Sequence, residues 1–435
     1  MATAGWRSGP IESRAVLAAR IRALVEQYFS IPPPPPAPGE PRLPLHVPSY
    51  GPEEVNEAID SLLSTQVTMG QKVRRFEALW AEYLGVAEAV MVNSGSSANL
   101  VAVTALVNPA FPRPLAAGDE VIVPAVAWST TYFPLVNAGL VPVLVDVALD
   151  TFTIDPEAAA GAIGPRTRAL LPVHLLGNAC DMRALGALAA RHGLVVIEDS
   201  CEAHGARFEG KPVGTFGAMG TFSFYFSHHI STIEGGMVVT DDPALGDLAR
   251  TLRAHGWIRD LKRRPAVATA AIDERFLFVN VGYNLRPTEL QGAFGIHQMP
   301  KLEPYIKVRR DNVEYWNAAL RRHAPWLSPC PGRDGAGSRS VWFGYPITVS
   351  PQAPFPRDEL ARFLERRGIA TRPIMAGNFR DQPAIRLFPH RIAGSLANAE
   401  LVMRQSFFIG NHHAISERDR AFVVECVDEF MAKWA

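Results

Sequence analysis

The sequence predicts an α/β protein whose larger part is built on a mostly parallel, seven-stranded sheet. Short apolar runs alternate with helical segments between residues 55 and 240, a spacing typical of parallel strands covered by helices on both faces. The chain has 435 residues, 48% of them hydrophobic, so it can bury a large core and is not disordered. At this length we expect about two or three structural units.

The predicted strands are short apolar runs. They are Ala89–Val92, Glu120–Val123, Val141–Val147, Ala169–Val173, Val195–Glu198, Thr221–Phe224 and Met237–Thr240. Ligands of mostly parallel sheets bind at the carboxyl ends of the strands. Polar residues that directly follow these runs are therefore candidates for a functional site.

An N-terminal segment precedes the α/β region. Four apolar residues recur there at helical spacing: Leu17, Ile21, Leu24 and Tyr28. The spacing predicts an amphipathic helix over about residues 13–29, which packs on the body of the protein or on a partner subunit. The proline run Pro32–Pro36 then predicts an extended linker.

The chain beyond the last predicted strand changes character twice. Residues 241–290 are predicted to be less regular, and a helical stretch from Gln291 to about His323 leads into a smaller α/β portion. The sequence thus predicts three parts. They are a helix and linker over residues 1–45, a large domain over residues 46–290 and a small C-terminal domain over residues 291–435.

Composition excludes several classes of function. The 43 basic and 43 acidic residues balance, so no overall field attracts nucleic acid or an anionic membrane. No apolar run approaches the ~20 residues that span a bilayer, and no signal peptide pattern is present, so we expect a cytoplasmic protein. Four scattered cysteines without a CxxC pair argue against a metal site or a disulfide framework, and we expect reduced thiols. They are Cys180, Cys201, Cys330 and Cys426.

Small polar residues follow the first predicted strand. The segment Val92–Leu100 reads VNSGSSANL and opens a helical run. Small residues let backbone N–H groups approach a phosphate, and the start of a helix carries partial positive charge. Serine and asparagine also cap helices without any ligand, so this segment alone leaves both interpretations open.

Two acids follow the strand Val195–Glu198. A carboxylate at a buried strand end is costly unless it meets a cation or a strong donor. Asp199 could pair with a protonated pyridine nitrogen or simply cap a helix, and the pattern does not decide between these roles. Glu202 follows on the same turn and is a candidate for ordering a ring or a substrate.

Two adjacent histidines, His228 and His229, lie between Ser223 and a Glu-Gly-Gly turn at 234–236. An isolated histidine pair is usually a loop feature. No cysteine, and no histidine or glutamate at helical spacing, accompanies the pair, so a metal site is not predicted. The surrounding motifs are needed to interpret it.

Taken together, these segments resemble the nucleotide-sugar aminotransferase family, which has fold-type I of the pyridoxal phosphate enzymes. The resemblance rests on the order of the SGSS turn, the Trp128–Thr131 segment, the Asp199 strand end and the FSF…EGG segment. It runs from about residue 45 to the C-terminus. Members of the family normally carry a lysine where this chain has His228.

Two branches of this family replace the lysine with histidine. One holds an iron–sulfur cluster with cysteines between the histidine segment and the Gly-Tyr-Asn segment, whereas residues 241–290 of this chain contain no cysteine. The other needs neither cluster nor reductase and dehydrates a GDP-linked 4-keto-6-deoxyhexose toward the sugar colitose. Four segments resemble this second branch: Val123–Tyr132, Arg253–Arg259, Gly282–Pro287 and Arg372–Phe379. Only the long N-terminal segment is more similar to the iron–sulfur branch.

The resemblance implies a dehydratase rather than an aminotransferase. A lysine would bind pyridoxal phosphate covalently, whereas an imidazole cannot, so the cofactor is expected as noncovalently held pyridoxamine phosphate. His228, with an ordinary pKa near ~6.5, suits a neutral base better than lysine at ~10.4. It is expected to act in removal of the C3 hydroxyl, and L-glutamate is expected to regenerate the aminated cofactor.

The resemblance also implies a set of cofactor-binding residues. They are Gly95, Ser96, Trp128, Asp199, Glu202, Ser223 and Asn284. The phosphate is expected at the glycine and the two serines, and Asn284 is expected to reach it from the second subunit of a homodimer. Trp128 is expected to stack on the pyridine ring, while Asp199 keeps the ring nitrogen protonated.

The expected substrate contacts rest on the same resemblance. His255 and Arg259 match residues donated across the dimer interface, and the guanidinium fork suits an anion. Arg372 and Asn378 are further candidates, and His229 is a candidate for orienting its neighbour. The nucleotide base is implied by resemblance alone.

Two other functions stay open at the level of sequence. An ordinary aminotransferase would need a lysine near the cofactor, and Lys211 is the only lysine between Asp199 and Thr240. A catalytically silent relative that serves as a sensor or structural partner is the third possibility. The joint presence of Asp199, Ser223 and Trp128 argues against it.

Overall fold

The computed structural model describes residues 12–434, apart from 33, 35, 36, 264–271, 330, 331, 333 and 336. Parts of the predicted proline linker and Cys330 thus lie outside the described residues. The α-helices are α1 (Arg14–Ser30), α2 (Pro52–Leu63), α3 (Gln71–Leu84), α4 (Gly95–Val107), α5 (Ser129–Asn137), α6 (Pro156–Gly161), α7 (Met182–His192), α8 (Pro243–Arg253), α9 (Glu289–Gln298), α10 (Leu302–Leu320), α11 (Arg357–Arg366), α12 (Ala397–Gln405) and α13 (Glu417–Met431). The strands are β1 (Glu88–Val92), β2 (Glu120–Pro124), β3 (Val141–Val145), β4 (Thr167–Leu170), β5 (Val195–Asp199), β6 (Arg207–Phe208), β7 (Lys211–Pro212), β8 (Met219–Ser223), β9 (Gly236–Thr240), β10 (Leu327–Pro329), β11 (Gly344–Val349), β12 (Thr371–Pro373), β13 (Arg391–Ile392) and β14 (Ser406–Gly410).

The main sheet has the strand order β1-β9-β8-β5-β4-β2-β3-β13. Neighbouring strands are parallel from β8 to β13, whereas β9 is antiparallel to both β1 and β8. This confirms the α/β class with a mostly parallel sheet and all seven predicted strands. An eighth strand, β13, was not predicted, because two residues carry no alternating pattern.

The sheet lies between two apolar layers, as its composition requires. Along β2, Val121 and Val123 pack into one core, while Ile122 packs into the other, and all three are fully buried. Such burial on both faces is why these strands read as continuous apolar runs. Their carboxyl ends are therefore the main places on this sheet where polar groups can gather.

A second sheet organises the C-terminal part, with the order β10-β11-β14-β12 and antiparallel pairing. Its core includes the buried rings of Trp316, Tyr345 and Phe407. Leu43 joins this core from the N-terminal side and pairs with Ile369. The three-part division of the chain stays a prediction, and Leu43 and β13 are two points where contacts cross it.

Two expectations about helices need correction. The stretch 241–290 is not irregular throughout, because α8 forms there with the Asp242 side chain accepting a hydrogen bond from Ala244 N at 2.7 Å.

The N-terminal helix exists as α1, but Leu24 and Tyr28 are exposed and only Ile21 of the predicted face is half-buried. The helix α1 contacts α2, and fewer of its apolar residues are buried in that contact than the sequence pattern predicted. In the described part of the chain, no helix combines the length and apolarity that crossing a membrane requires.

Candidate active site

The start of α4 lies directly against the end of β8. The Ser94 side chain caps the helix by accepting a hydrogen bond from Ser97 N at 3.1 Å. A Cβ placed on Gly95 would lie 2.3 Å from the Cβ of Ser223, so no larger residue fits there. The exposed Ser96 hydroxyl reaches Thr130 at 3.2 Å. Gly95, Ser96 and Ser223 are thus together, at a helix start suited to a phosphate.

Asp199 ends β5 and is held in one orientation by three donors. Its Oδ2 accepts hydrogen bonds from Asn99 Nδ2 and from the Thr131 hydroxyl, both at 2.8 Å. Its Oδ1 accepts the N–H of Cys201 at 3.2 Å. The residue is only 4% exposed, so these bonds compensate the burial of its charge. A carboxylate fixed in this way can face a cationic ring nitrogen without reorganisation.

Trp128 immediately precedes α5 and presents its indole to the surface, 48% exposed. Its carbonyl accepts a hydrogen bond from Thr131 N at 3.0 Å, and Thr131 in turn donates to Asp199. The indole and the carboxylate are therefore linked through one helical turn. An exposed aromatic face beside a buried acid is the arrangement that a stacked pyridine ring requires.

Glu202 is buried and connects Asp199 to the rest of the site. Its Oε2 accepts the N–H of Leu176 at 2.7 Å. Burial raises the pKa of Glu202 to about 8; the Leu176 N–H and the more distant Arg372 lower it, while Asp199 raises it. Arg372, on β12, thus acts electrostatically on this carboxyl group, and its role as a substrate contact stays a prediction.

Two strained loop segments lie next to Glu202, one containing Leu176 and the other Trp342. Leu176 and Trp342 both have left-handed backbone angles, with φ values of 54° and 53°. The two segments pair, since Phe343 N donates to Leu176 O at 2.9 Å. The buried Arg309 fixes the second segment by donating to the carbonyls of Trp342 and Phe343. Strain of this kind persists where the surroundings overdetermine the backbone.

His228 lies on the turn after β8. Its backbone N–H donates a hydrogen bond to the backbone carbonyl of Tyr225 at 3.0 Å. Its half-buried imidazole ring lies 5.3 Å from the ring of Phe343, measured between centroids. Burial, and secondarily the charge of Arg309, lower the pKa of His228 to about 3. The next residue, His229, is buried and contacts Val341 O through Nε2 at 3.1 Å. Burial thus favours the neutral form of the His228 imidazole, whose ring neighbours are His204, Tyr225 and Phe343.

Lys211, the residue that an ordinary aminotransferase would need, lies elsewhere. It is exposed on β7, and its ammonium group lies over the ring of Phe216 at 4.8 Å. The structure gives no contact between this lysine and Asp199 or His228 within the described residues. The aminotransferase interpretation therefore lacks its essential side chain.

Asn378 is fully buried and lies beside Val126, with which it forms an isolated bridge. Its side-chain oxygen accepts Arg380 N at 3.3 Å, while its Nδ2 has no partner among the described residues. The residue is thus close to the Trp128 segment but not at the surface. This position favours a role in shaping the pocket.

Three predicted residues lie together, away from His228. Asn284 pairs with Ala254, the neighbour of His255, and accepts a hydrogen bond from Arg286 at 3.0 Å. Arg259 is exposed and lines a cavity of about 550 Å³ with residues of α3 and α8. Across the described residues, no hydrogen bond or ring contact joins His255, Arg259 or Asn284 to His228.

Sequence reasoning missed two side chains that build the site. Asn99 and Thr131 are buried and orient Asp199, and the Thr221 hydroxyl fixes Asn99 Oδ1 at 2.6 Å. Both missed residues lie inside motifs that were recognised, one turn beyond the residues that were named. A buried polar residue on an otherwise apolar helix, such as Asn99 on α4, is the signal that could have found them.

The residues present fit a pyridoxal phosphate-type cofactor. Gly95 lets the start of α4 pack closely against Ser223, and Asp199 supplies a fixed carboxylate that can pair with a ring nitrogen. Trp128, three residues before the Thr131 that bonds to Asp199, offers an exposed ring. By contrast, no cluster of His, Cys, Asp and Glu able to hold a metal ion occurs in the part of the chain that the structure describes.

The sheet order and this site define a fold-type I protein of the pyridoxal phosphate class. A model of the DegT/DnrJ/EryC1/StrS aminotransferase family matches residues 48–428, and the chain belongs to that family. It is 41% identical to the GDP-4-keto-6-deoxy-D-mannose 3-dehydratase of Yersinia pseudotuberculosis over 85% of this chain and 94% of that one.

Solved structures give the same result. The E. coli GDP-4-keto-6-deoxy-D-mannose-3-dehydratase with bound hydrated PLP matches with a TM-score of 0.84 and 37% identity, over 89% of this chain and 99% of that chain. A GDP-4-keto-6-deoxymannose-3-dehydratase with a trapped PLP–glutamate geminal diamine matches with a TM-score of 0.82 and 38% identity, over 88% and 100%.

Proposed function

We propose that this chain is a pyridoxamine phosphate-dependent 3-dehydratase of a nucleotide-linked 4-keto-6-deoxyhexose. The observation that carries the proposal is His228, a neutral imidazole on the turn where family members carry lysine. The two 3-dehydratase structures match nearly the whole chain, which supports the same reaction class. By analogy with their substrate, we propose GDP-4-keto-6-deoxymannose.

The large part of the chain would hold the cofactor. Gly95, Ser96 and Ser223 would bind its phosphate, Trp128 would cover its ring and Asp199 would keep the ring nitrogen protonated. The bound cofactor supplies an electron sink, which lets a neighbouring carbon lose a proton. The three donors to Asp199 hold its buried carboxylate in position for the cationic ring.

His228 would be the proton carrier of the reaction. Its lowered pKa favours the neutral imidazole, whose lone pair can accept a proton. The same low pKa makes the imidazolium a strong acid, which can return the proton to the departing C3 hydroxyl. The ring of Phe343 covers one side of this imidazole, at 5.3 Å between centroids. An imidazole cannot bind the cofactor covalently, so dehydration replaces amino transfer.

Residues from the small domain and from a second subunit would complete the site. Arg372 is near Glu202 and suits an anionic part of the substrate. We propose that His255, Arg259 and Asn284 act in the site of the partner in a homodimer, since they lie away from His228 in their own chain. L-glutamate is the proposed amino donor, supported by the glutamate adduct in the related dehydratase.

We also propose a cytoplasmic location. Cys180, Cys201 and Cys426 are free thiols in the structure, and such thiols are typical of proteins in a reducing compartment.

The test is a product analysis with purified protein, pyridoxal phosphate and glutamate. GDP-, CDP- and TDP-linked 4-keto-6-deoxyhexoses are incubated separately without any reductase, and products are identified by mass spectrometry and NMR. We expect a 4-keto-3,6-dideoxy sugar from the GDP substrate. A 4-amino sugar that keeps its C3 hydroxyl would indicate an aminotransferase, and no turnover of any substrate would indicate a silent relative.

A further inference from the structure

The imidazole of His228 is held in place by packing. No hydrogen bond among the described residues involves its ring, and its buried Nδ1 has no partner there. Its ring neighbours are His204, Tyr225 and Phe343. Of these three, only Phe343 belongs to the part of the chain that follows α10. The position of the proposed base therefore depends on how this phenyl ring is fixed.

The ring of Phe343 belongs to a short segment, residues 341–343, that is bonded at both ends to residues of the large part of the chain. The N–H of its first residue donates to the carbonyl of Gly177 at 3.0 Å, and the N–H of its last residue donates to that of Leu176 at 2.9 Å. The carbonyl of its first residue lies 3.1 Å from Nε2 of His229, which must be the donor because a carbonyl oxygen only accepts. The 341–343 segment is thus attached to the turn that carries the proposed base.

The middle of the 341–343 segment is strained. Trp342 is buried and has a φ of 53°, in the left-handed region that bulky residues rarely adopt. Such a conformation persists only where the surroundings overdetermine it. The carbonyl of Trp342 accepts two hydrogen bonds, from Arg309 Nη1 at 3.3 Å and from Asn411 Nδ2 at 3.2 Å. These bonds provide the restraint that a strained peptide requires.

Arg309, on α10, contributes most of the bonds to this end of the segment. Besides Trp342, its Nη1 donates to the carbonyl of Phe343 at 3.0 Å and to that of Asn411. The residue is 3% exposed, and no carboxylate forms an ion pair with it in the part of the chain that the structure describes. The charge strengthens its bonds to the carbonyls, but burying a cation without a carboxylate is costly. Stability alone therefore gives little reason for an arginine at this position.

We propose that Arg309 is a positioning residue for the proposed base, which holds the 341–343 segment so that the Phe343 ring stays against the imidazole of His228. The inference rests on the proposed function, because it concerns the base assigned there. Arg309 would act through the segment and would touch neither cofactor nor sugar. Proton transfer requires the imidazole within hydrogen-bond reach of the reacting atoms, so a displaced ring slows the chemical step more than it weakens substrate binding.

The first test measures turnover of the sugar substrate. Arg309→Met keeps an unbranched side chain but removes every donor and the charge. We expect kcat to fall by at least about tenfold, with KM changed by less than about twofold. Arg309→Lys keeps a charge and three donors for the three carbonyls, so we expect it to recover kcat to within about threefold of the unaltered protein.

A double-mutant cycle tests whether Arg309 acts through the phenyl ring. Phe343→Leu keeps an apolar side chain but loses the ring, and we expect kcat to fall by a similar factor. Adding Arg309→Met to this variant should then have little further effect, because the ring that Arg309 positions is already absent.

Arg357→Met is the matched control. Arg357 also donates from Nη1 to two backbone carbonyls of the C-terminal part, those of Met403 at 2.9 Å and Ser406 at 3.2 Å. Among the described residues, no hydrogen bond or ring contact joins it to Phe343 or His228. This substitution should leave both kcat and KM unchanged.

NMR of the cofactor-free protein, labelled with ¹³C in its histidines, gives a readout that requires no sugar. The ring-proton signal of His228 is identified by its loss in His228→Asn. The ring current of Phe343 shifts this signal in the unaltered protein, because the two centroids are 5.3 Å apart. We expect the signal to move in Phe343→Leu and in Arg309→Met, and to stay in place in Arg309→Lys and Arg357→Met.

An unchanged His228 signal in Arg309→Met overturns the proposal, as does an unchanged kcat. An equal effect of Arg309→Met with and without the Phe343 ring would mean that the guanidinium acts by its charge alone, which also overturns it. If Arg309→Met does not fold, Arg309→Gln, which lacks the charge, replaces it in every measurement. Failure of the proposed function would appear separately, as absent dehydration in the unaltered protein, and the NMR result would still decide whether Arg309 positions the ring.

Discussion

At position 228 one side chain determines how the cofactor can be held. The imidazole of His228 cannot form a Schiff base, and burial keeps it neutral. We expect His228→Lys to bind pyridoxal phosphate covalently, because a primary amine replaces the imidazole at the same turn. C3 dehydration should fall by at least about 100-fold.

Absorbance spectra and retention of the cofactor after denaturation measure the first effect, and product analysis measures the second. His192→Lys, at an exposed position at the end of α7, is the control and should not retain the cofactor. Dehydration by His228→Lys at the unaltered rate would show that His228 is not the base.

Glu202 makes the stability of the protein depend on pH. Its pKa rises from an ordinary 4.5 to about 8, so the folded protein binds this proton more tightly than the unfolded chain. The proton on Glu202 therefore stabilises the folded protein. This stabilisation is fully present below the pKa of Glu202 in the unfolded chain, and it is lost as the pH rises through about 8. Glutamine keeps an oxygen for the Leu176 N–H but cannot ionise.

We therefore expect Glu202→Gln to gain stability relative to the unaltered cofactor-free protein between about pH 5 and about pH 9, by on the order of 1 kcal/mol. Urea unfolding at both pH values measures the difference. An equal effect of the substitution at both values would mean that Glu202 titrates normally.

For single residues of the candidate site, the sequence predicts those whose neighbours along the chain form a recognisable pattern. It does not predict residues whose role depends on distant parts of the chain. Asp199 and Ser223 end apolar strands, so their positions could be read from the chain. Asn99 and Thr131 act on Asp199 across 100 and 68 residues, and His204 meets His228 only through tertiary packing. No pattern of neighbouring residues in the sequence predicts contacts of this kind.

Among the elements, α4 has a close contact with β8 at Gly95. A side chain on Gly95 would overlap Ser223, so Gly95→Ala must push the helix start away from β8. We expect the affinity for pyridoxal phosphate to fall by at least about tenfold, since overpacking costs ~1–3 kcal/mol. Fluorescence titration measures this affinity.

Gly186→Ala is the matched control. Gly186 lies on the exposed face of α7, and a Cβ at this position would have no atom within 4 Å. It should stabilise the protein by ~0.5–1 kcal/mol and leave cofactor binding unchanged. Equal cofactor affinity in Gly95→Ala would exclude the start of α4 as the phosphate site.

The elements also show where sequence patterns suffice. Runs such as β5 and β9 were predictable, because burial on both faces imposes an uninterrupted apolar sequence. The two-residue β13 is too short for any periodicity. The helix α8 was not predicted, because the polar loop that follows it makes residues 241–290 irregular in composition as a whole, although Asp242 caps the helix.

For the whole molecule, the proposed homodimer predicts that two inactive variants can restore activity. His228→Asn and Asn284→Ala would break different residues of one composite site. If Asn284 serves the partner's site, a mixed dimer contains one site with both residues intact. Random mixing then restores about a quarter of the activity, since about half the dimers are mixed and one site in two works.

Refolding the two variants together and measuring turnover performs the experiment. Mixing His228→Asn with Asp199→Asn is the control, because both residues lie in the site of the same chain and no mixed dimer has an intact site. An absence of recovery with Asn284→Ala would place Asn284 outside a shared site.

The short strand β13 has a consequence for synthesis on the ribosome. It covers the outer edge of β3, and its first residue, Arg391, pairs with the buried Glu120, 271 residues earlier in the chain. Until residues 391 and 392 leave the exit tunnel, the nascent chain holds a nearly finished sheet with an open edge, and the buried Glu120 pairs with Arg166 but lacks Arg391. Translation must therefore approach the C-terminus before the first strands of this protein are protected from other nascent chains.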